Sequence, residues 1–269
     1  MKEISVVIPT YNRELQIGAA IRSVLEQKGR GESFVLKEVL IIDDGSTDDT
    51  EKRITEFEDP CIRFHKLERN GGAGHARNAG VKMASTEWIA FQDSDDIWEA
   101  DKLKKQTEYL GIHPETDMVT HPIRATFSDG REIITEAPVN ADPIEVLAKR
   151  NFVDTPTMLL RRDAFLELNG FDENLKALED WEFALRFAAV YKIGIVREAL
   201  LWADMTIEGV SSNMANYYDA RCRMIIKNRP LLEERGCFQA AMENLFLHAR
   251  ENGVLEQVGK MMELYLSGR

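Results

Sequence analysis

Cysteine, histidine and long apolar runs are scarce in this 269-residue chain, and each scarcity excludes a class of protein. The three cysteines, Cys61, Cys222 and Cys237, are odd in number and lack CxxC spacing, which argues against disulfides or a zinc site and indicates a reducing compartment. The five histidines show no HExxH or paired spacing, so no histidine-based metal site is expected. No apolar run approaches the roughly 20 residues of a membrane-spanning helix.

Basic residues are also in the minority. The net charge of −12 argues against nucleic acid as the main partner. Strand-like sequence follows Met1 almost at once, so we expect no secretory signal and a cytoplasmic protein. Residues 214–269 differ from the acidic remainder, because they hold 8 Lys or Arg and 7 Asp or Glu.

The first part of the chain alternates short apolar segments with amphipathic ones. Four short segments predict strands over residues 4–8, 39–42, 62–67 and 88–91; the first is rich in β-branched residues, and the second and fourth are fully apolar. Helical spacing and capping signals predict helices between them, over residues 15–25, 46–57 and 74–84. This order and the short connections predict an α/β fold, with a mostly parallel sheet covered on both faces.

Each of these predicted strands is followed by a polar or glycine-rich segment. The four segments are Pro9–Asn12, Asp43–Ser46, Asn70–Gly74 and Asp93–Asp96. In an open α/β sheet, ligands bind beyond the carboxyl ends of the strands. The four segments are therefore expected to form one site at a single edge of the sheet.

The last of these segments is the most acidic. Asp93, Asp95 and Asp96 directly follow a run that is expected to be buried, and like charges this close repel each other unless a cation compensates them. Oxygen ligands of this kind suit Mg²⁺ or Mn²⁺, which often share their coordination with phosphates. The alternative from these residues alone is a polar loop whose aspartates cap the next helix.

After residue 112 the pattern changes. Ser128-Asp129-Gly130 predicts a hairpin turn between strands over residues 118–127 and 131–135. Further segments predict helices over residues 143–150 and 177–191 and strands over residues 157–160 and 193–202. From Met214 onward three helical segments are predicted, separated at Pro230 and Gly253.

Six segments, taken in order, resemble glycosyltransferase family 2, and the resemblance covers about residues 1–205. The segments are Ser5–Arg13, Asp43–Asp48, Ala76–Gly80, Asp93–Asp96, Gly170–Glu173 and Glu179–Asp180. The resemblance implies a GT-A fold and an inverting, nucleotide-sugar-dependent transferase of hexosyl or N-acetylhexosaminyl groups. Processive members carry a QxxRW motif, which does not follow Asp180 here, so the resemblance favours the transfer of one sugar per encounter.

The resemblance also assigns roles to individual residues. The nucleotide-sugar-binding residues would be Pro9, Thr10, Tyr11, Asn12, Asp44, Gly72, Arg77, Asp93 and Asp95. Asp95 and Asp96 would hold the divalent metal, Mn²⁺ or Mg²⁺. Asp180 would be the general base with Glu179 beside it, and Asp172 and Trp181 would bind the acceptor.

Elementary chemistry agrees with several of these roles but leaves alternatives open. Tyr11 offers a face for stacking on a base, or it is a packing residue. Asp44 can accept the N3–H of uracil or thymine, or it only forms a turn before Gly45. Arg77 can steady a phosphate or Asp44, or it is a solvated helix residue. The acids Glu179 and Asp180 can also serve only to complement the helix dipole.

The expected donor is a uridine or thymidine diphosphate sugar, with GDP sugars left open, and the expected acceptor is a saccharide or a lipid-linked saccharide. Residues 1–112 form the nucleotide-sugar-binding half and residues 113–210 the acceptor-binding half of one domain. Residues 211–269 form a helical extension. Its helices pack on the catalytic domain, form a homodimer contact or touch a membrane surface as a peripheral protein.

The same residues also bear on three alternative functions. Gly72-Ala73-Gly74, with Asp93 about 20 residues later, resembles the fingerprint of a dinucleotide-dependent oxidoreductase, but Arg77 replaces its third glycine. A nucleotidylyltransferase would need a glycine-rich, basic segment after the first strand, where Pro9–Asn12 stands. A non-catalytic nucleotide-sugar-binding subunit would not need Asp95, Asp96 and Asp180 together.

Overall fold

The computed structural model describes residues 1–206 and 213–267. The predicted boundary between residues 210 and 211 lies outside the described residues. Seven strands form the main sheet, in the order β10-β6-β9-β4-β1-β2-β3. Their bounds are β1 Lys2–Thr10, β2 Phe34–Asp43, β3 Ile62–Lys66, β4 Trp88–Phe91, β6 Met118–Thr120, β9 Leu159–Arg161 and β10 Ile193–Ile195. Only β9 runs antiparallel to its neighbours β4 and β6, so the predicted mostly parallel sheet is confirmed.

A second, smaller sheet has the order β5-β11-β7-β8. Its strands are β5 Ile97–Trp98, β7 Arg124–Thr126, β8 Glu132–Ile134 and β11 Leu201–Asp204. The hairpin turn predicted at Gly130 is confirmed, because β7 and β8 pair antiparallel around it. The single strand predicted over residues 118–127 is wrong, because this segment forms β6 in the main sheet and β7 in the second sheet. The single strand predicted over residues 193–202 is wrong: the amide of Val196 still bonds to the Thr120 carbonyl, and the chain then leaves the main sheet and joins the second one as β11.

Eleven α-helices and one 3-10 helix are found in the described residues. They are α1 Ile17–Leu25, α2 Thr50–Thr55, α3 Ala73–Met83, α4 Lys102–Ile112, α5 Pro143–Leu147, the 3-10 helix Thr155–Thr157, α6 Arg162–Glu167, α7 Glu179–Val190, α8 Met214–Lys227, α9 Arg229–Glu234, α10 Phe238–Glu251 and α11 Leu255–Leu266. The prediction of three helices after Met214 is wrong, since Gly236, with φ of 66°, adds a further break. In the described residues no helix is long and apolar enough to cross a membrane.

Side chains on the two faces of the main sheet belong to two separate cores. Along β1, Ile4, Val6 and Ile8 enter one core, which contains residues of α1 and α4, whereas Val7 enters the other, which contains residues of α3 and α7. This alternation confirms the prediction that helices cover both faces. Buried residues of α8, α10 and α11, such as Met224 and Leu245, belong to the second core, so these helices pack on the α/β domain.

Helix α3 packs very closely against the sheet at Gly80. A Cβ atom added to Gly80 would clash with Val7 Cγ1 and would lie only 3.2 Å from Ile42 Cγ1. The glycine lets the helix backbone approach β1 and β2 directly. Because Arg77 lies one turn earlier on the same helix, this contact also fixes where the Arg77 side chain begins.

We predict that Gly80→Ala lowers the free energy of unfolding by about 1–3 kcal/mol, the usual effect of overpacking a tight core. Gly111→Ala is the matched control, since it adds the same methyl group to α4 with nothing within 4 Å. The control should leave stability unchanged or raise it slightly, because alanine favours a helix. Urea unfolding monitored by circular dichroism measures both, and equal effects of the two substitutions would contradict the prediction.

A carboxylate-rich candidate active site

The loops that follow β1 and β2 interlock at the carboxyl edge of the main sheet. Asn12, with φ of 51°, donates its backbone N–H to Ser46 Oγ over 2.9 Å, and its side-chain oxygen accepts the Thr47 N–H, also over 2.9 Å. Pro9 and Thr10 are buried at the end of β1, whereas the Tyr11 ring between them and Asn12 is 45% exposed. The interlocked loops therefore present an aromatic face to solvent, as base stacking requires.

Asp44 holds the glycine-rich loop that precedes α3. Its carboxylate is buried and accepts the N–H of Gly71 over 2.9 Å and the N–H of Gly72 over 2.7 Å. Gly72 has φ of 91°, a conformation that glycine adopts without strain. The predicted contact between Asp44 and a base stays a prediction, and the structure adds that this carboxylate already organises the Gly71–Gly72 backbone.

Arg77 joins the two halves of the site. Its side chain is only 7% exposed, and its two terminal nitrogens each donate over 2.6 Å, one to Asp93 Oδ1 and the other to Glu179 Oε1. Burial would lower the pKa of Arg77, but the carboxylates of Asp93 and Glu179 outweigh burial and raise it. Two of the alternatives left open for Arg77 are wrong: it is buried and therefore not a solvated helix residue, and its terminal nitrogens bind acids other than Asp44. The contact with a phosphate stays a prediction.

The acids after β4 are only partly compensated by neighbouring cations. Arg13 lies 3.4 Å from Asp95 Oδ2, yet burial and the Asp93 carboxylate still raise the pKa of Asp95. Burial and the charges of Asp93 and Asp95 raise the pKa of Asp96 well above its ordinary value. No group of three metal-ligating side chains converges in the described residues, but the donors present are all carboxylate oxygens, the type that Mn²⁺ and Mg²⁺ prefer.

A fourth acid of this cluster, Asp154, is missing from the residues predicted from the sequence. Burial and the nearby Asp93 carboxylate raise the pKa of Asp154 to about 6, and its charge in turn raises the pKa values of Asp96 and Asp180. The prediction considered only the carboxyl ends of parallel strands. Asp154 comes from the segment before β9, and because β9 is antiparallel, its amino end lies at this same edge.

Glu179 and Asp180 form the first turn of α7, as predicted. Leu178 precedes them with φ of 59°, a strained conformation for a leucine that is typical of functional sites. Asp180 accepts the Trp181 N–H over 2.6 Å and the Thr155 N–H over 3.3 Å. Burial, and next the charges of Glu179 and Asp154, raise its pKa well above the ordinary value, which brings Asp180 closer to the pKa of an effective general base.

Of the two residues expected to bind the acceptor, Trp181 is contradicted by its burial, whereas the role of Asp172 stays a prediction. Trp181 is only 4% exposed and its Nε1–H donates to the Leu147 carbonyl over 2.6 Å, so its indole belongs to the core and is not available to an acceptor. Asp172 forms an ion pair of 2.6 Å with Lys227 of α8. Burial would raise the pKa of Asp172, but Lys227 and Asn174 lower it, so this carboxylate already has its own partners.

Comparison with known proteins agrees with this geometry. Fold and site together define an α/β protein with a cluster of carboxylates at one edge of a mostly parallel sheet, and residues 5–168 match the family described as glycosyl transferase family 2. The chain therefore belongs to glycosyltransferase family 2.

Two curated relatives illustrate the match. An uncharacterised glycosyltransferase of Haemophilus influenzae is 26% identical over 189 residues, which is 68% of this chain and 61% of that protein. The Escherichia coli UDP-Glc:alpha-D-GlcNAc-diphosphoundecaprenol beta-1,3-glucosyltransferase WfgD is 44% identical over 107 residues, 40% of each chain. The matched part of this chain thus spans less than two thirds of the length of either relative.

Solved structures show the same fold at low sequence identity. S. aureus TarS 1-349 in complex with UDP-GlcNAc aligns with a TM-score of 0.67 and 22% identity, over 100% of this chain and 93% of that one. The mannosyltransferase PcManGT from Pyrobaculum calidifontis in complex with GDP-Man and Mn2+ aligns with a TM-score of 0.68 and 17% identity, over 99% of this chain and 75% of that one. The predicted GT-A fold is therefore confirmed.

The raised pKa of Asp154 predicts a specific dependence of stability on pH. The native state keeps the Asp154 proton up to a pH of about 6, whereas the unfolded chain loses it near its ordinary pKa of 3.8. Asp154 therefore reduces stability as the pH rises through that window. Asp154→Asn cannot ionise, so its stability relative to wild type should rise by about 1–3 kcal/mol between pH 4 and pH 7.

Urea unfolding in metal-free buffer at several pH values measures this difference. Asp49→Asn is the control, because Asp49 is exposed and paired only with Lys52 at 3.7 Å. It should show no comparable trend. A stability difference between Asp154→Asn and wild type that does not change with pH would contradict the prediction.

Proposed function

We propose that the chain is an inverting glycosyltransferase that moves one sugar per encounter from a nucleoside diphosphate sugar to a hydroxyl group of a saccharide or lipid-linked saccharide. The observation that carries the proposal is the placement of Asp180, a half-buried carboxylate with a raised pKa, at the same sheet edge as the Asp93–Asp96 cluster. Arg77 connects the two through Asp93 and Glu179. A base and a diphosphate-binding cluster are the two parts that sugar transfer needs.

A uridine diphosphate donor is the best supported choice. The names of WfgD and of the TarS complex both include a UDP sugar, whereas the PcManGT complex contains GDP-Man, the donor type left open from the sequence. Tyr11 supplies the exposed ring for stacking, with Pro9, Thr10 and Asn12 forming the rest of that wall. Asp44 accepts two backbone N–H groups, and a carboxylate has about four acceptor sites, so one more N–H from a base can be bound.

A divalent cation, Mn²⁺ or Mg²⁺, fits the acids after β4. Burial and then the nearby carboxylate charges raise the pKa values of Asp95 and Asp96, and a cation held by these two carboxylates would compensate the repulsion between the acids. A bound ion would neutralise the charge that develops on the diphosphate. PcManGT was solved with Mn2+, which supports this choice of metal.

Asp180 is proposed as the general base. Two backbone N–H groups, from Trp181 and Thr155, orient its carboxylate, while burial and then the charges of Glu179 and Asp154 raise its pKa. It would take the proton of the acceptor hydroxyl as that oxygen attacks the anomeric carbon from the side opposite the departing diphosphate. Glu179 is held by Arg77 at 2.6 Å, so it would border the acceptor and keep the first turn of α7 in place.

Other details of the proposal rest on the sequence alone. These are the transfer of a hexosyl or N-acetylhexosaminyl group, the cytoplasmic location, a peripheral membrane contact and a homodimer through α8–α11. Helices α8, α10 and α11 pack on the α/β domain of their own chain, and this packing requires neither a membrane contact nor a homodimer.

Replacing Asp180 tests the base directly. Asp180→Asn keeps the size of the side chain but cannot take a proton, so kcat should fall by about 10²–10⁴-fold while donor affinity stays nearly unchanged. Release of UDP in the presence of acceptor measures kcat, and calorimetry measures donor affinity. Asp163→Asn is the control, because Asp163 is an exposed acid in the first turn of α6. Equal, small effects of both substitutions would favour a role in the helix dipole only.

The metal proposal is tested by chelation and by substitution. Activity should be lost in EDTA and restored by Mn²⁺ or Mg²⁺, and Asp95→Asn and Asp96→Asn should each reduce turnover by orders of magnitude with folding intact. Asp101→Asn, which removes a nearby acid paired with Lys105 at 3.2 Å, should leave turnover unchanged. Full activity in EDTA would contradict the assignment of a divalent metal to this site.

Base recognition is tested by comparing two aspartates of the same loop. Asp44→Ala should weaken UDP binding by about 1–3 kcal/mol, because it removes an acceptor for the base and releases the Gly71–Gly72 backbone. Asp49→Ala removes an exposed carboxylate five residues later and should have no such effect. Calorimetric titration with UDP measures the affinity of each variant, and equal affinities of the two variants would refute the role of Asp44.

A further inference from the structure

Helix α8 contacts Trp181 and Glu182, the two residues that follow Asp180 in α7. The Arg221 guanidinium carbon lies 5.1 Å from the centre of the Trp181 ring, and Arg221 also donates to the Lys149 carbonyl and to the Asn244 side chain. Glu182 is fully buried, and Lys227 Nζ lies 3.0 Å from its Oε1. Both residues that follow Asp180 therefore contact a helix outside the 5–168 segment that matches the family.

Lys227 is the point at which three elements meet. Besides Glu182 in the first turn of α7, its ammonium group binds Asp172 Oδ2 over 2.6 Å. Asp172 belongs to the loop that follows α6, in which Asn169 and Gly170 both have positive φ. One lysine of α8 thus ties this loop to the turn that bears Asp180.

The negative charge of Glu182 does not need Lys227 for compensation. Arg186 binds Glu182 through two contacts of 2.7 and 2.8 Å and also donates to the Gly170 carbonyl over 2.8 Å. The Lys227 side chain is 43% exposed, so its loss would let water reach Asp172 without leaving a buried charge alone. The contribution of Lys227 is therefore to geometry more than to the stability of the core.

We propose that Lys227 is a positioning residue for sugar transfer, which holds the first turn of α7 and the Asp172 loop in the relative placement that Asp180 requires. The inference rests on the proposed function and extends the active-site scaffold to α8. Displacement of a catalytic group by about 1 Å can reduce a rate by about 10²-fold, so an ion pair that fixes this turn can affect kcat without touching the substrate.

The test compares Lys227→Met, Lys227→Arg and Lys260→Met in the full chain. Lys260 is the control, since it forms an exposed ion pair of 2.6 Å with Glu256 on α11. Lys227→Met should lower kcat by about 10–100-fold while the Kd for UDP and the melting temperature stay close to wild type. Lys227→Arg, which can keep both ion pairs, should recover most of the rate, and Lys260→Met should behave as wild type.

A wild-type kcat in Lys227→Met would overturn the inference. So would parallel losses of UDP affinity, melting temperature and kcat, since a general structural defect produces them together. Should Lys227→Met fail to fold, Asp172→Asn removes the other end of the same ion pair and must reproduce the selective loss of kcat. Absence of sugar transfer by the wild-type protein would instead refute the proposed function.

Discussion

The site depends on one buried arginine that is shared between two carboxylates. Arg77 donates over 2.6 Å to Asp93, at the end of β4, and over 2.6 Å to Glu179, at the start of α7. The guanidinium group suits this task, because it is planar, always charged and presents several donors in a fixed geometry. Without this cation, Asp93 and Glu179 would repel the neighbouring acids in a poorly hydrated site, and the donor-side and base-side elements would separate.

Helix α3 can place Arg77 there because the rest of its surface is fixed as well. Gly80 brings the helix backbone against β1 and β2, and Asn78 donates to the Phe171 carbonyl over 2.9 Å while accepting the Phe171 N–H over 2.9 Å. The short segment Ala76–Gly80 therefore contacts the sheet with one side and the segment before α7 with the other. In physical terms this segment, which carries part of the resemblance to the family, connects the two halves of the site.

Features that are encoded by neighbouring residues could be predicted from the sequence, whereas features that depend on distant segments could not. Strands β1 to β4 and the polar segments behind them are encoded by nearby residues, so their existence and their shared edge were predictable. Asp154 was not, since its position depends on the antiparallel direction of β9, which no local pattern specifies. The burial of Trp181 and the pairing of Asp172 with Lys227 were missed for a similar reason: α8, more than 30 residues later, supplies Arg221 and Lys227.

The central claim, that Arg77 binds the two halves into one site, is tested most directly by a double-mutant cycle between Arg77→Met and Glu179→Gln, measured by urea unfolding. Removing Arg77 alone leaves Glu179 charged without its partner, so removing the Glu179 charge as well should restore part of the lost stability. The account predicts a coupling energy on the order of 1–3 kcal/mol. Additive effects, with a coupling energy near zero, would contradict it.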